Sequence, residues 1–243
     1  MAAQGGGLPR LLRARLAVSR LAFDARRPLL AVGVNLLDMV EGPPLVVDAA
    51  RAAAYDDLLR DAVRGGGRIE YGLPHPRHEF LSYVIRRHGL LAHGSNLHDI
   101  EEFEPRPANE AGAIQLGVHA ASDGIWPLYF ATVARGRGRL VQANGCVHTG
   151  SGDRTRRWYF FAISTDPDDP ASWTDGTVYL LPSGTFRRHR GQEWLSETPV
   201  RPLATLRVTP DDFPFLRSTA QLFWPETPGR IRHRFRRRHE RRV

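Results

Sequence analysis

Leu90-Leu91-Ala92-His93-Gly94-Ser95-Asn96 is the stretch on which the reading of this chain turns. An apolar run delivers a His-Gly-Ser triplet, and a polar, acidic stretch follows from Asn96 to Glu104. The histidine supplies a ring that both donates and accepts hydrogen bonds. The glycine lets a ligand approach the backbone, and the serine adds a small hydroxyl. A strand ending in this way presents a polar edge suited to gripping a ligand.

Working outward, the two sides of this stretch differ in pattern. Before it, Leu11, Leu12, Leu16 and Leu21 recur at roughly helical spacing, and Pro28 to Leu37 reads as a buried strand. Val47 to Val63 reads as an amphipathic helix stopped by Gly65-Gly66-Gly67. Pro76 to Arg87 reads as a second helix, with Phe80, Leu81, Val84 and Ile85 on one face. From Leu90 onward strands dominate: Leu90 to His93, Gly117 to Ala121, Arg139 to Cys146, Trp158 to Ser164, Thr177 to Leu181 and Val200 to Val208. A further helix is expected over Ile125 to Val133. The sum is an α+β protein, a helical N-terminal portion followed by a mainly antiparallel sheet portion. Residues 1–70, 71–225 and 226–243 form the expected divisions.

The 243 residues suffice for one large domain or two small ones. No apolar stretch approaches the ~20 residues of a membrane span, and no secretory signal is read. Cys146 is the single cysteine, so an intrachain disulfide is excluded and a cytoplasmic protein is the expectation. Every basic side chain is arginine, a planar, permanent cation able to grip phosphate bidentately. The formal charge is +8, but Arg230 to Val243 holds eight arginines and one glutamate, leaving the remainder near neutral. That tail reads either as an arm for nucleic acid or an acidic protein, or as a solvated terminus.

Common catalytic signatures are absent. There is no Walker A sequence, and Gly136-Arg137-Gly138 lacks the third glycine of a dinucleotide fingerprint. Gly150-Ser151-Gly152 has the wrong spacing for a nucleophile elbow. Cys146 and His148 share a strand face but make a poor zinc site without further ligands. His75, His78 and Glu79 read as polar helix-start residues more readily than as a metal site, and no metal is expected.

Three segments remain: His93-Gly94-Ser95, Gly117 to Phe130 (GVHAASDGIWPLYF), and Gln192-Glu193-Trp194 ahead of Pro199 to Ala204. In this order they resemble the diphtheria-toxin-like and poly(ADP-ribose) polymerase-like ADP-ribosyltransferases. Those enzymes carry His-Gly-Ser/Thr at a strand end, then a strand and an aromatic-bearing helix, and later a glutamate opening a strand. The match covers roughly residues 90–208. The chain is also similar to uncharacterised bacterial proteins with an HGSN…FEPR…SDGIWPLYFA layout.

The resemblance implies a split β-sheet core that uses NAD as substrate, without a metal. His93 would bond a ribose hydroxyl, Gly94 would bind the nicotinamide carboxamide through its backbone, and Ser95 would assist. Tyr129 or Phe130 would stack on the nicotinamide. Glu193 would stabilise the oxocarbenium-like transition state, with Glu197 as the rival carboxylate. Arg106, from its position, is a candidate for the pyrophosphate. The implied activity is mono-ADP-ribosyl transfer or NAD glycohydrolysis. The alternatives are a non-catalytic nucleotide or nucleic-acid binding module and RNA 2′-phosphotransferase chemistry. Asp99, Glu101, Glu102 and Glu104 read first as a solvated acidic loop, and second as hydrolase carboxylates. The Trp158-Tyr159-Phe160-Phe161 run reads as strand core and rim.

Overall fold

The structure is a computed structural model that describes residues 39–110, 113–135, 140–150, 155–223 and 234–236. The expected strand at Pro28 to Leu37 and the leucines at 11–21 lie outside these residues, as does the tail except for 234–236.

Helix α1, Ala49–Arg64, opens where the Asp48 side chain accepts from Arg51 N at 2.8 Å, which satisfies a free first-turn amide. Its i, i+4, i+7 spacing aims Tyr55, Leu59 and Ala62 inward. It stops at Gly65, and Gly66 and Gly67 follow with φ of 95° and 90°, a region that disfavours side chains. Helix α2, Arg77–His88, follows Pro76 and buries Phe80, Leu81, Ser82, Val84 and Ile85. Arg86, Arg87 and His88 at its end match the helix dipole. Helix α3, Trp126–Thr132, is short and packs on the central sheet.

The strands are β1 (Val40–Glu41), β2 (Arg68–Ile69), β3 (Leu91–Ser95), β4 (Arg106–Glu110), β5 (Ala113–Ala121), β6 (Gln142–Thr149) and β7 (Arg156–Ile163). They continue with β8 (Gly176–Leu181), β9 (Phe186–Arg190), β10 (Glu193–Ser196), β11 (Ala204–Val208), β12 (Ala220–Phe223) and β13 (Arg234–Arg236). A larger sheet runs β2-β11-β8-β3-β5-β10-β9, with β4 also on β5. A smaller sheet is built on β7, which pairs with β6, β1 and β12; β13 extends it. Most pairs are antiparallel; β2 with β11 and β7 with β12 are parallel. The fold is therefore α+β, as expected.

The main core lies between one face of the larger sheet, the three helices and β7. It joins Tyr55, Phe80, Leu128, Tyr129, Phe161, Leu180 and Leu206. Tyr55, Leu59, Ala62 and Ile69 belong to this same core, and β2 is hydrogen-bonded to β11. The expected boundary near residue 70 thus falls within continuous packing. The opposite face of the sheet carries a second cluster, Leu91, Phe103, Val118, Ala120, Tyr179, Leu181, Phe186 and Val200.

Of the two strands at the edge, the one opened by Glu193 agrees with the expectation and Phe186–Arg190 was not anticipated. Phe186–Arg190 and Glu193–Ser196 form a hairpin-like pair across Gly191, whose φ is 53°. The expected strand from Val200 begins at Ala204 instead, because Pro202 has no amide to give to a ladder. Val200 makes an isolated bridge to Phe103.

Candidate functional site

Strands β3 and β5 are paired in register at Ala92↔Ala121 and then part. Next to this point the His93 ring, rather than a β3 amide, takes the His119 carbonyl: Nδ1 donates at 2.6 Å. A proton on Nδ1 leaves Nε2 of the neutral ring as an acceptor. Burial pushes the His93 pKa down to about 4, aided by the charges of Arg135 and His119 and opposed by the carbonyl bond. The ring packs on Phe103 at 4.7 Å between centroids, and Phe103 meets the edge of Tyr179 at 5.1 Å. The Tyr179 hydroxyl donates to Leu97 O and accepts from Ile100 N, so the loop after β3 is latched over His93.

Glu193 opens β10 opposite Ala121. Its Oε1 lies 3.1 Å from His119 Nδ1, and Arg190 Nη2 stands 3.8 Å from its other oxygen. With 14% of its side chain exposed, it is a largely buried carboxylate. By register His119 and Glu193 project on the side of Ala92, and His93 on the alternate side. His119 links the two, its carbonyl bonded to His93 and its ring to Glu193. Glu197 is different: 57% exposed, it pairs with Arg187 at 3.0 Å.

The other expected residues divide clearly. A Cβ on Gly94 would lie 1.8 Å from Pro127 O and 2.8 Å from Ala131 N, so α3 fills the space on that side of the glycine. Gly94 O accepts from Arg135 Nη2 at 3.2 Å. Ser95 is buried, and its hydroxyl accepts from Leu97 N at 3.1 Å, a local turn. Asn96, adjacent in sequence, donates to Ala131 O at 2.8 Å and accepts from Arg135 N at 3.1 Å, closing the end of α3.

Tyr129 is fully buried against Phe161 and Phe213, and its hydroxyl donates to Ala162 O at 3.0 Å. Of the two aromatic candidates, Phe130 is the half-buried one, with the Arg135 guanidinium 5.9 Å from its ring centre. Arg106 is exposed and sits opposite Gly117, two residues from His119 along β5. Asp99, Glu101, Glu102 and Glu104 are all exposed, and Glu102 pairs with Arg201.

Sequence reasoning assigned no role to His119. Its signal was a lone polar ring in the middle of the apolar run Gly117 to Ala121. Of the polar group at the start of α2, Glu79 accepts from both Arg51 Nη1 (3.0 Å) and the Tyr55 hydroxyl (2.7 Å), an internal brace. The Cys146–His148 pair does find a third potential ligand, Asp123, within 4.8 Å.

Comparison with known proteins gave no match among family models, curated proteins or solved structures. Among the described residues, no helix is long and apolar enough to cross a membrane.

Proposed function

We propose that this protein cleaves the nicotinamide–ribose bond of NAD on an ADP-ribosyltransferase-like core. Nicotinamide leaves with the electrons of the C–N bond, and ADP-ribose passes to an acceptor or to water. The observation that carries this reading is the Glu193 carboxylate, held at 3.1 Å by the His119 ring, while the His119 carbonyl takes the His93 ring; the two side chains leave the sheet on opposite faces, so the substrate would have to reach both through the parting of β3 and β5. A carboxylate oriented before the reaction stabilises the positive charge that grows on the ribose ring. The neutral His93 ring offers Nε2 to a ribose hydroxyl. Phe130 supplies the ring for nicotinamide stacking. Arg135 covers the Gly94 carbonyl, so a bound carboxamide would displace that guanidinium. The arginine-rich 230–243 segment is the part suited to recruiting a nucleic acid or acidic acceptor.

A second reading is a non-catalytic nucleotide-binding module on the same fold. It is favoured by the packing of α3 against Gly94 and by the burial of Tyr129.

Incubation of the full chain with NAD, with nicotinamide release measured by chromatography, separates the readings. The first expects release that His93→Ala abolishes and that Glu193→Gln lowers about 100-fold or more. NAD binding by calorimetry without release selects the binding module. Neither binding nor release rejects both.

A further inference from the structure

Asp123 follows β5, and its side chain is completely buried. Its Oδ1 accepts from Ile125 N (2.8 Å) and Trp126 N (2.7 Å) at the start of α3. Its Oδ2 accepts from the Tyr159 hydroxyl (2.6 Å) and His148 Nε2 (2.9 Å), which belong to β7 and β6 of the smaller sheet. Cys146 stands two residues before His148 on β6, hence on the same face. The ligand-type atoms of Asp123, Cys146 and His148 all lie within 4.8 Å of one another.

A buried carboxylate calls for a cation. His148 is its ion-pair partner, and the Arg157 guanidinium of β7 is bonded elsewhere, to Ser82 Oγ and Pro43 O. A thiol, an imidazole and a carboxylate converging on one point form the mixed donor set that zinc-class ions prefer. From these contacts we infer that Asp123, Cys146 and His148 bind a divalent transition-metal ion of the zinc class. Three protein ligands leave one position for water. Tetrahedral zinc, with bonds of about 2.0 to 2.3 Å, sets its ligands about 3.3 to 3.8 Å apart. The 2.9 Å Asp123–His148 contact opens slightly on binding and the thiol moves in, both by side-chain rotation. The Tyr159 hydroxyl stays on Asp123 and orients it. His148, with 19% of its side chain exposed, gives the ion its entry.

The test is titration of chelator-stripped full-length protein with Co2+, read by absorption, followed by Zn2+ competition. We expect one equivalent to give a thiolate-to-cobalt charge-transfer band that Zn2+ removes. Cys146→Ser abolishes the band. Tyr159→Phe keeps the band while lowering affinity about 10-fold or more. Circular dichroism of each variant confirms that it is folded. A folded wild type without the band, or metal binding unchanged in Cys146→Ser, overturns the inference and leaves an Asp–His pair beside a packed thiol. Because the readout is spectroscopic, the result stands apart from any NAD chemistry.

Discussion

The His93 ring stands where a strand-to-strand hydrogen bond would otherwise lie: its Nδ1 donates to the His119 carbonyl at 2.6 Å, next to the Ala92↔Ala121 pair. One side chain thereby both parts the two strands and keeps a main-chain acceptor satisfied.

That position makes stability acid-sensitive. The folded pKa of His93 is about 4, against 6.5 for an exposed imidazole. As pH falls the unfolded chain takes up this proton first, so the contribution is intact above pH 6.5 and drains away toward pH 4. At pH 4.5 the expected loss is about 2 to 3 kcal/mol. Urea unfolding at pH 7.5 and 4.5 measures it. His93→Asn, whose amide can still donate to His119 O, is expected to flatten the difference; an unchanged slope would assign the acid sensitivity to other groups.

Gly94→Ala is expected to destabilise the fold strongly whether or not a ligand is present. The added methyl meets the backbone of α3 at Pro127 O and Ala131 N, which cannot turn aside as a side chain can. A loss of about 3 kcal/mol or more is expected in chemical denaturation. A variant as stable as the wild type would show that α3 is able to lift from β3.

Asn96→Ala removes two bonds that close α3, to Ala131 O and from Arg135 N. The cost is about 1 to 3 kcal/mol. Thermal melts read it directly, and Asn96→Asp, which keeps the acceptor, is expected to fall between the two.

Tyr129 and Phe130 are expected to separate by stability. Tyr129→Ala leaves a large hole between Phe161 and Phe213 and costs about 3 to 5 kcal/mol. Phe130→Ala, at a half-buried position, costs clearly less, so the proposed NAD binding is testable in a folded variant. If Phe130→Ala proves the more damaging, the division of core and site along α3 is reversed.

Much of the architecture was legible because its signals are periodic. The α1 face repeats at Tyr55, Leu59 and Ala62, and the triple glycine ends it where the pattern stops. The strands that failed to show were those lacking such a pattern. Phe186-Arg187-Arg188-His189-Arg190 is an edge strand exposed along most of its length, so its polar residues read as a loop. Arg106–Glu110 contains a proline and pairs with one neighbour, β5. At the site, His93 and Glu193 were marked by residue type and order. His119, Arg135 and Asn96 were not, because their roles depend on main-chain carbonyls and on a helix crossing that no local pattern records. Asp123 joins His148 across 25 positions, a meeting made by two sheets rather than by sequence spacing.

The two walls of the gap are unequally built. On the β3 side, α3 lies directly on Gly94 and on Gly176 of β8, where a Cβ would fall 1.9 Å from Ala131 O. Asn96 and Arg135 pin the end of the same helix. The opposite wall, β5 and β10, is flanked by β9 at the sheet's margin. Substitutions at the β3 wall are therefore opposed by backbone, while Glu193 stands on a strand with a single further neighbour, β9, between it and the sheet's free edge.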